Sequence, residues 1–380
     1  MAIALLVGDM HIDNSKSSIA NSDSFYEVFK TFGLIKESIY EHKPDYVIFF
    51  GDIFNSPYSI TTSVMTIISK LIAEIAVETA VLFIVGNHDD VDEKMSKVKI
   101  GDRYVNMRAS LLAPFTYYEN VTVFDSPSAI KIQDGVEIGF IPYSNDIIND
   151  IQSIQSRFTR GIKKILIGHF DLADTSYMIS KDATELTTVP SSKDLIQKYG
   201  YDMVLLGHIH DIQDHNVDGK IVKYIGSCRN VDFRNTGENK GIYLLDFDTF
   251  KLTYIDNPYT CIYKTFKTFD SFKKYCMNSD PEKLAKTKIK YVYSLSAEVK
   301  EIAKTKNMFK SLQFQKNING VDVNNVASET IMEFENLVKN DLVTKDNLVD
   351  YAISFKEPKN KDRALNTLNM FLKNLDRKTE

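Results

Sequence analysis

Five times in this chain a short apolar run stops at a glycine, and the residues that follow are aspartate, asparagine or histidine. Ala2 to Val7 leads into Gly8-Asp9-Met10-His11, Tyr46 to Phe50 into Gly51-Asp52, and Val81 to Val85 into Gly86-Asn87-His88-Asp89. Lys164 to Ile167 leads into Gly168-His169, and Met203 to Leu206 into Gly207-His208-Ile209-His210. An uninterrupted apolar run, in place of an alternating one, marks a strand buried on both faces, as in parallel sheets covered by helices. The segments Ser24 to Glu41 and Thr61 to Ile75 carry apolar residues three and four apart, which predicts crossover helices between the first three strands. Alternating strands and helices give an α/β fold with a mainly parallel sheet, whose strands deliver their carboxyl ends to one edge. The five polar motifs are therefore expected to converge. Asp134-Gly135, between Ala129 to Gln133 and Val136 to Pro142, predicts a hairpin, and further strands at Lys220 to Tyr224, Gly241 to Asp246 and Leu252 to Asp256 provide for a second sheet layer.

At 380 residues the chain is too long for one small core. Its composition, 43% hydrophobic and 26% charged, is that of a soluble folded protein, and no apolar run approaches the roughly 20 residues of a membrane span. The N-terminus has no basic leader and reads as a first strand, while Cys228, Cys261 and Cys276 form no CxxC pair; together these predict a cytoplasmic protein with no membrane segment. The net charge of -5 conceals an asymmetry: residues 1–256 hold 24 basic against 35 acidic side chains, and residues 257–380 hold 22 against 16. The motifs stop and the charge reverses near Asn257-Pro258. Three parts are expected: a domain over 1–256, a small α+β domain over 257–325, and a helical tail over 326–380 with an apolar stripe Leu365, Leu368, Phe371 and Leu375. In the small domain, strands are expected at Ile262 to Thr268 and Lys288 to Leu295, and helices at Phe269 to Met277 and Ala297 to Phe309.

Side chains alternate faces along extended backbone, so Asp9 and His11 can reach one ion from the same side, and so can His208 and His210. Asp52, Asn87 and His169 each arrive singly from neighbouring strand ends. The seven supply three oxygen donors and four imidazoles, enough for two divalent ions if one carboxylate bridges them. Oxygen and nitrogen donors without sulfur suit manganese, iron or zinc, and magnesium less well. Paired ions polarise a phosphoryl group and generate a hydroxide nucleophile at neutral pH, so phosphoester hydrolysis is the natural reaction class. Any one of these histidines alone would read as a structural residue; the ordered set does not.

The series Asp9-x-His11, Gly51-Asp52, Gly86-Asn87-His88-Asp89, Gly168-His169 and Gly207-His208-x-His210 resembles the calcineurin-like metallophosphoesterases, whose fold is a four-layer α/β/β/α sandwich. Within that superfamily Gly51-Asp52-Ile53-Phe54, Tyr224-Ile225-Gly226-Ser227, Lys240-Gly241-Ile242 and a small capping domain after Asn257-Pro258 resemble the SbcD branch of DNA break-repair nucleases, particularly its shorter phage versions. The resemblance implies one metal on Asp9, His11 and His210, another on Asn87, His169 and His208, and Asp52 bridging. It implies that His88 faces the scissile phosphate as general acid, with Asp89 orienting it; Asp89 reads equally well as a turn or helix-cap residue. Asn55 stands where many SbcD-like proteins carry His or Asp, and Arg229 follows the Gly226-Ser227 step; both are candidate substrate contacts.

The activity implied is 3′ to 5′ exonuclease and single-strand or hairpin endonuclease cleavage, with manganese as the foremost metal. Implied partners are DNA, an SMC-like coiled-coil ATPase of the SbcC type docking on the helical tail, and a second copy of the chain. A phosphodiesterase acting on small nucleotides and a non-enzymatic scaffold are the competing readings. The chain lacks the Asp-Arg-Gly continuation usual in Ser/Thr phosphatases of the superfamily, which counts against a phosphomonoesterase.

Overall fold

In a computed structural model, the described residues are 2–13, 22–58, 60–90, 97–100, 103–106, 110–175, 189–231, 239–266, 271, 274–275, 278–279, 287–293, 311–318 and 321–322. The chain divides into two compact units, Met1–Tyr263 and Lys264–Glu380, a few residues beyond the boundary expected from the charge reversal.

In the first unit, β1 (Ile3–Val7), β2 (Tyr46–Phe49), β3 (Ala80–Ile84) and β6 (Val121–Phe124) run parallel; β13 (Gly241–Asp246) pairs antiparallel with β1, and β14 (Lys251–Asp256) extends that edge. A second sheet repeats the plan. Parallel strands β8 (Val136–Ile141), β9 (Lys163–His169), β10 (Met203–Gly207) and β12 (Lys220–Tyr224) are flanked by antiparallel β7 (Ser128–Gln133) and β11 (Gln213–Val217). The β7–β8 hairpin turns at Asp134-Gly135 as the dipeptide predicts, with Gln133 opposite Val136. A separate hairpin joins β4 (Lys97–Ile100) and β5 (Arg103–Asn106).

The continuous apolar runs are explained by three successive cores. In β1, Leu5 and Val7 pack on one side against helix α1 (Ser22–His42), through Val28, Phe32, Ile35 and Ile39, and against α2 (Thr62–Glu78), through Ile68, Ile72 and Ile75. Ala4 and Leu6 face the other way, into a core shared with Ile138, Phe140, Ile165, Ile167, Met203 and Leu205 of the second sheet. Leu166, Val204 and Leu206 in turn face outward, onto Ile147, Ile151 and Ile154 of helix α3 (Ile147–Gln155). Each central strand is thus apolar on both faces, and the layers stack as an α/β/β/α sandwich. Phe124 and Phe140 stack across the two sheets with ring centroids 4.0 Å apart. Helix α2 starts where Thr61 accepts the Val64 N–H, and stops at Thr79, whose hydroxyl donates to the Pro44 carbonyl at 2.7 Å.

A further sheet is formed by β15 (Ile262–Phe266), which begins at the last residues of the first unit, and by β16 (Thr287–Tyr293), β17 (Ser311–Ile318) and β18 (Val321–Asp322) of the second, with β16 and β17 parallel. Strand β17 was not anticipated, because its Gln, Lys and Asn residues interrupt any apolar pattern. Ser271, Lys274 and Tyr275 within the expected Phe269 to Met277 helix are helical. The expected helix Ala297 to Phe309 and the tail 326–380 lie outside the described residues. Among the described residues no helix is long and apolar enough to cross a membrane.

Candidate metal centre

The strands β1, β2 and β3 of one sheet and β9 and β10 of the other deliver their carboxyl ends to a common edge. There the backbone turns sharply, and three prospective ligands take up left-handed conformations: His11 (φ 46°), Asp52 (φ 50°) and His208 (φ 82°). For residues with a Cβ that region costs roughly 1–2 kcal/mol each, so the surroundings must hold it. The N–H groups of Met10 and His11 both reach the Asp52 carbonyl, at 3.0 and 2.9 Å, and the His208 N–H reaches the Asp9 carboxylate at 3.0 Å. The preceding glycines provide clearance. A Cβ on Gly51 (φ 95°) would stand 2.5 Å from His169 Nδ1, and one on Gly86 would overlap the Asp52 carboxylate.

The structure brings all seven prospective ligands together. Nitrogen and oxygen atoms of Asp9, His11 and His210 lie within 4.8 Å of one another, as do those of Asp52, His169 and His208. Asn87 joins the second group, its Oδ1 3.1 Å from His169 Nε2 and 3.0 Å from His208 Nδ1. Asp52 stands between the groups, with Oδ2 3.5 Å from His11 Nε2 and 3.3 Å from His169 Nε2. The imidazoles of His11 and His210 meet nitrogen to nitrogen at 2.8 Å. Two such nitrogens at that separation are held together by a shared proton or by a cation between them.

Electrostatics separates the imidazoles. Burial, with the neighbouring His210, holds His11 down to about 3 against the pull of Asp52, so it is neutral and offers a lone pair at neutral pH. Burial acts in the same direction on His169, but the Asp52 carboxylate outweighs it, with Asp9 and the Phe50 carbonyl assisting, and its pKa is pushed up to about 10. In return, Asp52 is held well below the carboxylate range by His169 despite its own burial. Asp9 is raised by burial and by the charge of Asp52. This compact, sulfur-free set, with Asp9, His11, Asp52 and His169 buried and Asn87, His208 and His210 partly exposed, fits divalent ions of the manganese, iron or zinc type.

The supporting contacts correct two expectations. Asp89 does not orient His88. Its fully buried carboxylate accepts the N–H of Phe54 at 3.0 Å and of Gly86 at 3.2 Å, and burial plus the Asp52 charge push it up to about 8. His88 is oriented instead by the Asn55 backbone carbonyl, 2.7 Å from Nδ1, and the His88 backbone N–H donates to Asp52 Oδ1 at 2.8 Å. Arg229 is no substrate contact either. It is 3% exposed, and its guanidinium is spent on the carbonyls of Met10 and His11, both at 2.7 Å.

Two neighbours were missed by sequence reasoning, and a third, Lys240, was read only as part of a strand-opening motif. Asp171 Oδ2 lies 3.6 Å from His208 Nε2, the Tyr143 ring lies 5.8 Å from that of His208, and buried Lys240 donates to the His210 carbonyl at 2.5 Å. Of the two missed, only Asp171 left a signal, two residues after His169 and so on the same side of an extended chain.

Several known proteins are similar to this chain. Among solved structures, GAP50, the anchor in the inner membrane complex of Plasmodium, superposes with a TM-score of 0.40 at 12% identity, covering 68% of this chain and 85% of that one. The phosphopantetheinyl hydrolase PptH from Mycobacterium tuberculosis gives 0.35 at 13%, covering 60% and 90%. In sequence, the SbcD component of the nuclease SbcCD from Staphylococcus epidermidis (strain ATCC 12228 / FDA PCI 1200) is 22% identical over 225 residues, which are 57% of this chain and 59% of that protein. The match therefore spans less than two thirds of the relative's length. The calcineurin-like phosphoesterase family matches residues 4–211, a stretch that begins in β1, ends one residue past His210 and holds all five strand-end motifs. A match over more than half of the chain, closing on the ligands that the fold gathers at one edge, places the chain in the calcineurin-like phosphoesterase family.

Proposed function

We propose that this phosphoester hydrolase is a metal-dependent DNA nuclease, the nuclease component of an SbcCD-like break-processing complex working in the cytoplasm. The observation that carries the chemistry is the set of three overlapping donor groups joined at His11 and Asp52: Asp9, His11 and His210; His11, Asp52 and His88; and Asp52, His169 and His208. In this reading Asp9, His11 and His210 hold one divalent ion, Asn87, His169 and His208 hold the other, and Asp52 bridges. Manganese is the foremost candidate. Two such ions, when bound, polarise a phosphoryl oxygen and supply a hydroxide nucleophile.

The chain's own residues do the rest. A carbonyl can only accept, so the contact with Asn55 fixes the proton of His88 on Nδ1 and leaves Nε2 for the substrate. With Nε2 also protonated, His88 would give that proton to the leaving oxygen. Holding Nδ1 at 2.7 Å fixes the ring's direction before substrate arrives. The low pKa of Asp52 keeps its carboxylate ionised as a bridge, and the neutral His11 needs no proton removed.

DNA as the substrate class is favoured by the SbcD relative, by the absence of an Asp-Arg-Gly continuation, and by the basic balance of residues 257–380. That region alternates Lys264, Lys267, Lys273 and Lys274 with Tyr263, Phe266, Phe272 and Tyr275, the mixture suited to backbone phosphates. An SbcC-type ATPase docking on the stripe Leu365, Leu368, Phe371 and Leu375 belongs to the same reading. The test is incubation of purified protein with manganese and, separately, a linear duplex, a single strand and a small chromogenic phosphodiester. Cleavage of both DNA forms is expected. Hydrolysis of the small ester alone would overturn the nuclease assignment in favour of a small-phosphodiester hydrolase.

A further inference from the structure

Arg229 and Glu27 form a buried pair beside the metal centre that the proposed chemistry does not use. Glu27, in α1, is 1% exposed and its Oε2 lies 3.6 Å from Arg229 Nη1. A buried ion pair is often no more stable than apolar residues filling the same space, so stability alone gives a weak reason for one. Position gives a better one. Arg229 Nε and Nη2 each donate, at 2.7 Å, to the carbonyls of Met10 and His11, while the N–H groups of those two residues reach the Asp52 carbonyl. The left-handed turn at His11 is thus gripped through both its donors and both its acceptors.

The second oxygen of Glu27 leads elsewhere. Oε1 accepts from the Cys261 N–H at 2.9 Å and from the Thr260 hydroxyl at 3.1 Å, and the Thr260 oxygen in turn accepts the Asn230 N–H at 2.7 Å. Asn230 Nδ2 donates to the Cys261 carbonyl at 2.9 Å, and Asn257 Nδ2 donates to the Cys228 carbonyl at 2.9 Å. The strap Asn257–Cys261, just before the second unit in sequence, is therefore tied to the same carboxylate that neutralises Arg229.

We propose that Arg229 and Glu27 are positioning residues for the metal ligand His11, and that Glu27 makes the placement of that ligand depend on the strap Asn257–Cys261. This rests on the reading of His11 as a ligand. If the two are linked, the dependence is reciprocal: metal binding must steady the strap, and loosening the strap must weaken metal binding by the same factor.

The test uses the full chain with manganese alone as the probe. Affinity is measured by calorimetry, and exchange of the Cys261 amide is followed with and without the metal. Thr260→Val removes the hydroxyl without touching the centre, Arg229→Lys leaves one donor group where two carbonyls were served, and Ile154→Val in α3 is a mild control for lost stability. Manganese is expected to slow Cys261 exchange in the unaltered protein. Thr260→Val should weaken binding at one of the two ion sites about fivefold, and Arg229→Lys about 10–100-fold, the range for partners that orient a ligand. Ile154→Val should leave affinity unchanged.

If manganese fails to bind the unaltered protein, the metal centre itself is refuted. If it binds with normal stoichiometry but Cys261 exchange does not change, or if Thr260→Val lowers melting temperature while retaining the affinity of the Ile154→Val control, the positioning role is refuted and the metal centre stands.

Discussion

The metal-free protein should lose stability as pH rises through neutrality, the reverse of what a chain rich in carboxylates ordinarily does. Two buried groups set the sign. His169 is raised from 6.5 to about 10 by the Asp52 carboxylate, which outweighs the lowering effect of burial. Asp89 is raised from 3.8 to about 8 by burial and by the same Asp52. For both, the folded state holds a proton that the unfolded state has given up, so their contribution is complete below the unfolded pKa and disappears as pH climbs through the folded one. Between pH 6.5 and 8 each group forfeits about 1.6 kcal/mol, a little less than the full ~1.4 kcal/mol per pH unit because each titration is half complete at one end of the window, or about 3 kcal/mol together. His11, lowered to about 3, acts with the opposite sign, but only between about 3 and 6.5. For a unit of this size about 3 kcal/mol corresponds to a fall in melting temperature of roughly 6–12 °C. The assay is thermal melting of chelator-treated protein at pH 6.5, 7.25 and 8. Asp52→Asn removes the charge that raises His169 but leaves Asp89 raised by burial, so it should make the fall shallower without abolishing it. A metal-free melting temperature that is level or rises from pH 6.5 to 8 would refute the reasoning. In the presence of manganese the trend should reverse, because a metal competes with the proton on His169 and binds more tightly as pH rises.

Other outcomes follow from single contacts. His88→Ala should reduce DNA cleavage about 10²–10⁴-fold with two manganese ions still bound by calorimetry; loss of metal would show that His88 is a ligand. Gly86→Ala places a methyl group against the Asp52 carboxylate and should abolish binding of at least one ion while the protein still folds by circular dichroism. Phe49→Ala removes a fully buried ring stacked 4.7 Å from Phe83 and should cost about 3–5 kcal/mol in denaturant unfolding.

Much of the sandwich was legible because its central strands are buried on both faces, which writes an uninterrupted apolar run that few other elements produce. Ala4, Leu5, Leu6 and Val7 need no period to be recognised. The prospective ligands were legible because each motif follows a glycine at a strand end, and Gly51, Gly86 and Gly207 leave room for the ligand side chains. Helix α3 was not, since only Ile147, Ile151 and Ile154 mark its buried face in an otherwise polar stretch. Arg229 was misread for a different reason. A guanidinium near a metal motif suggests phosphate, and only the fold reveals that two carbonyls, more than 200 positions earlier in the chain, already occupy it. Asp89 was misread likewise: beside His88 in sequence, its carboxylate is directed to the N–H groups of Phe54 and Gly86.

The donors are divided between the layers of the sandwich: Asp9, His11, Asp52 and Asn87 follow strands of the first sheet, and His169, His208 and His210 follow strands of the second. Between the sheets there is otherwise mainly apolar packing, which resists separation but has little directional preference. Ions bound across that seam would act as rivets. Their spacing would record how far one sheet has slid or rotated against the other, so that a change in the Phe124–Phe140 stack could detune the chemistry from inside the core without contacting a single ligand.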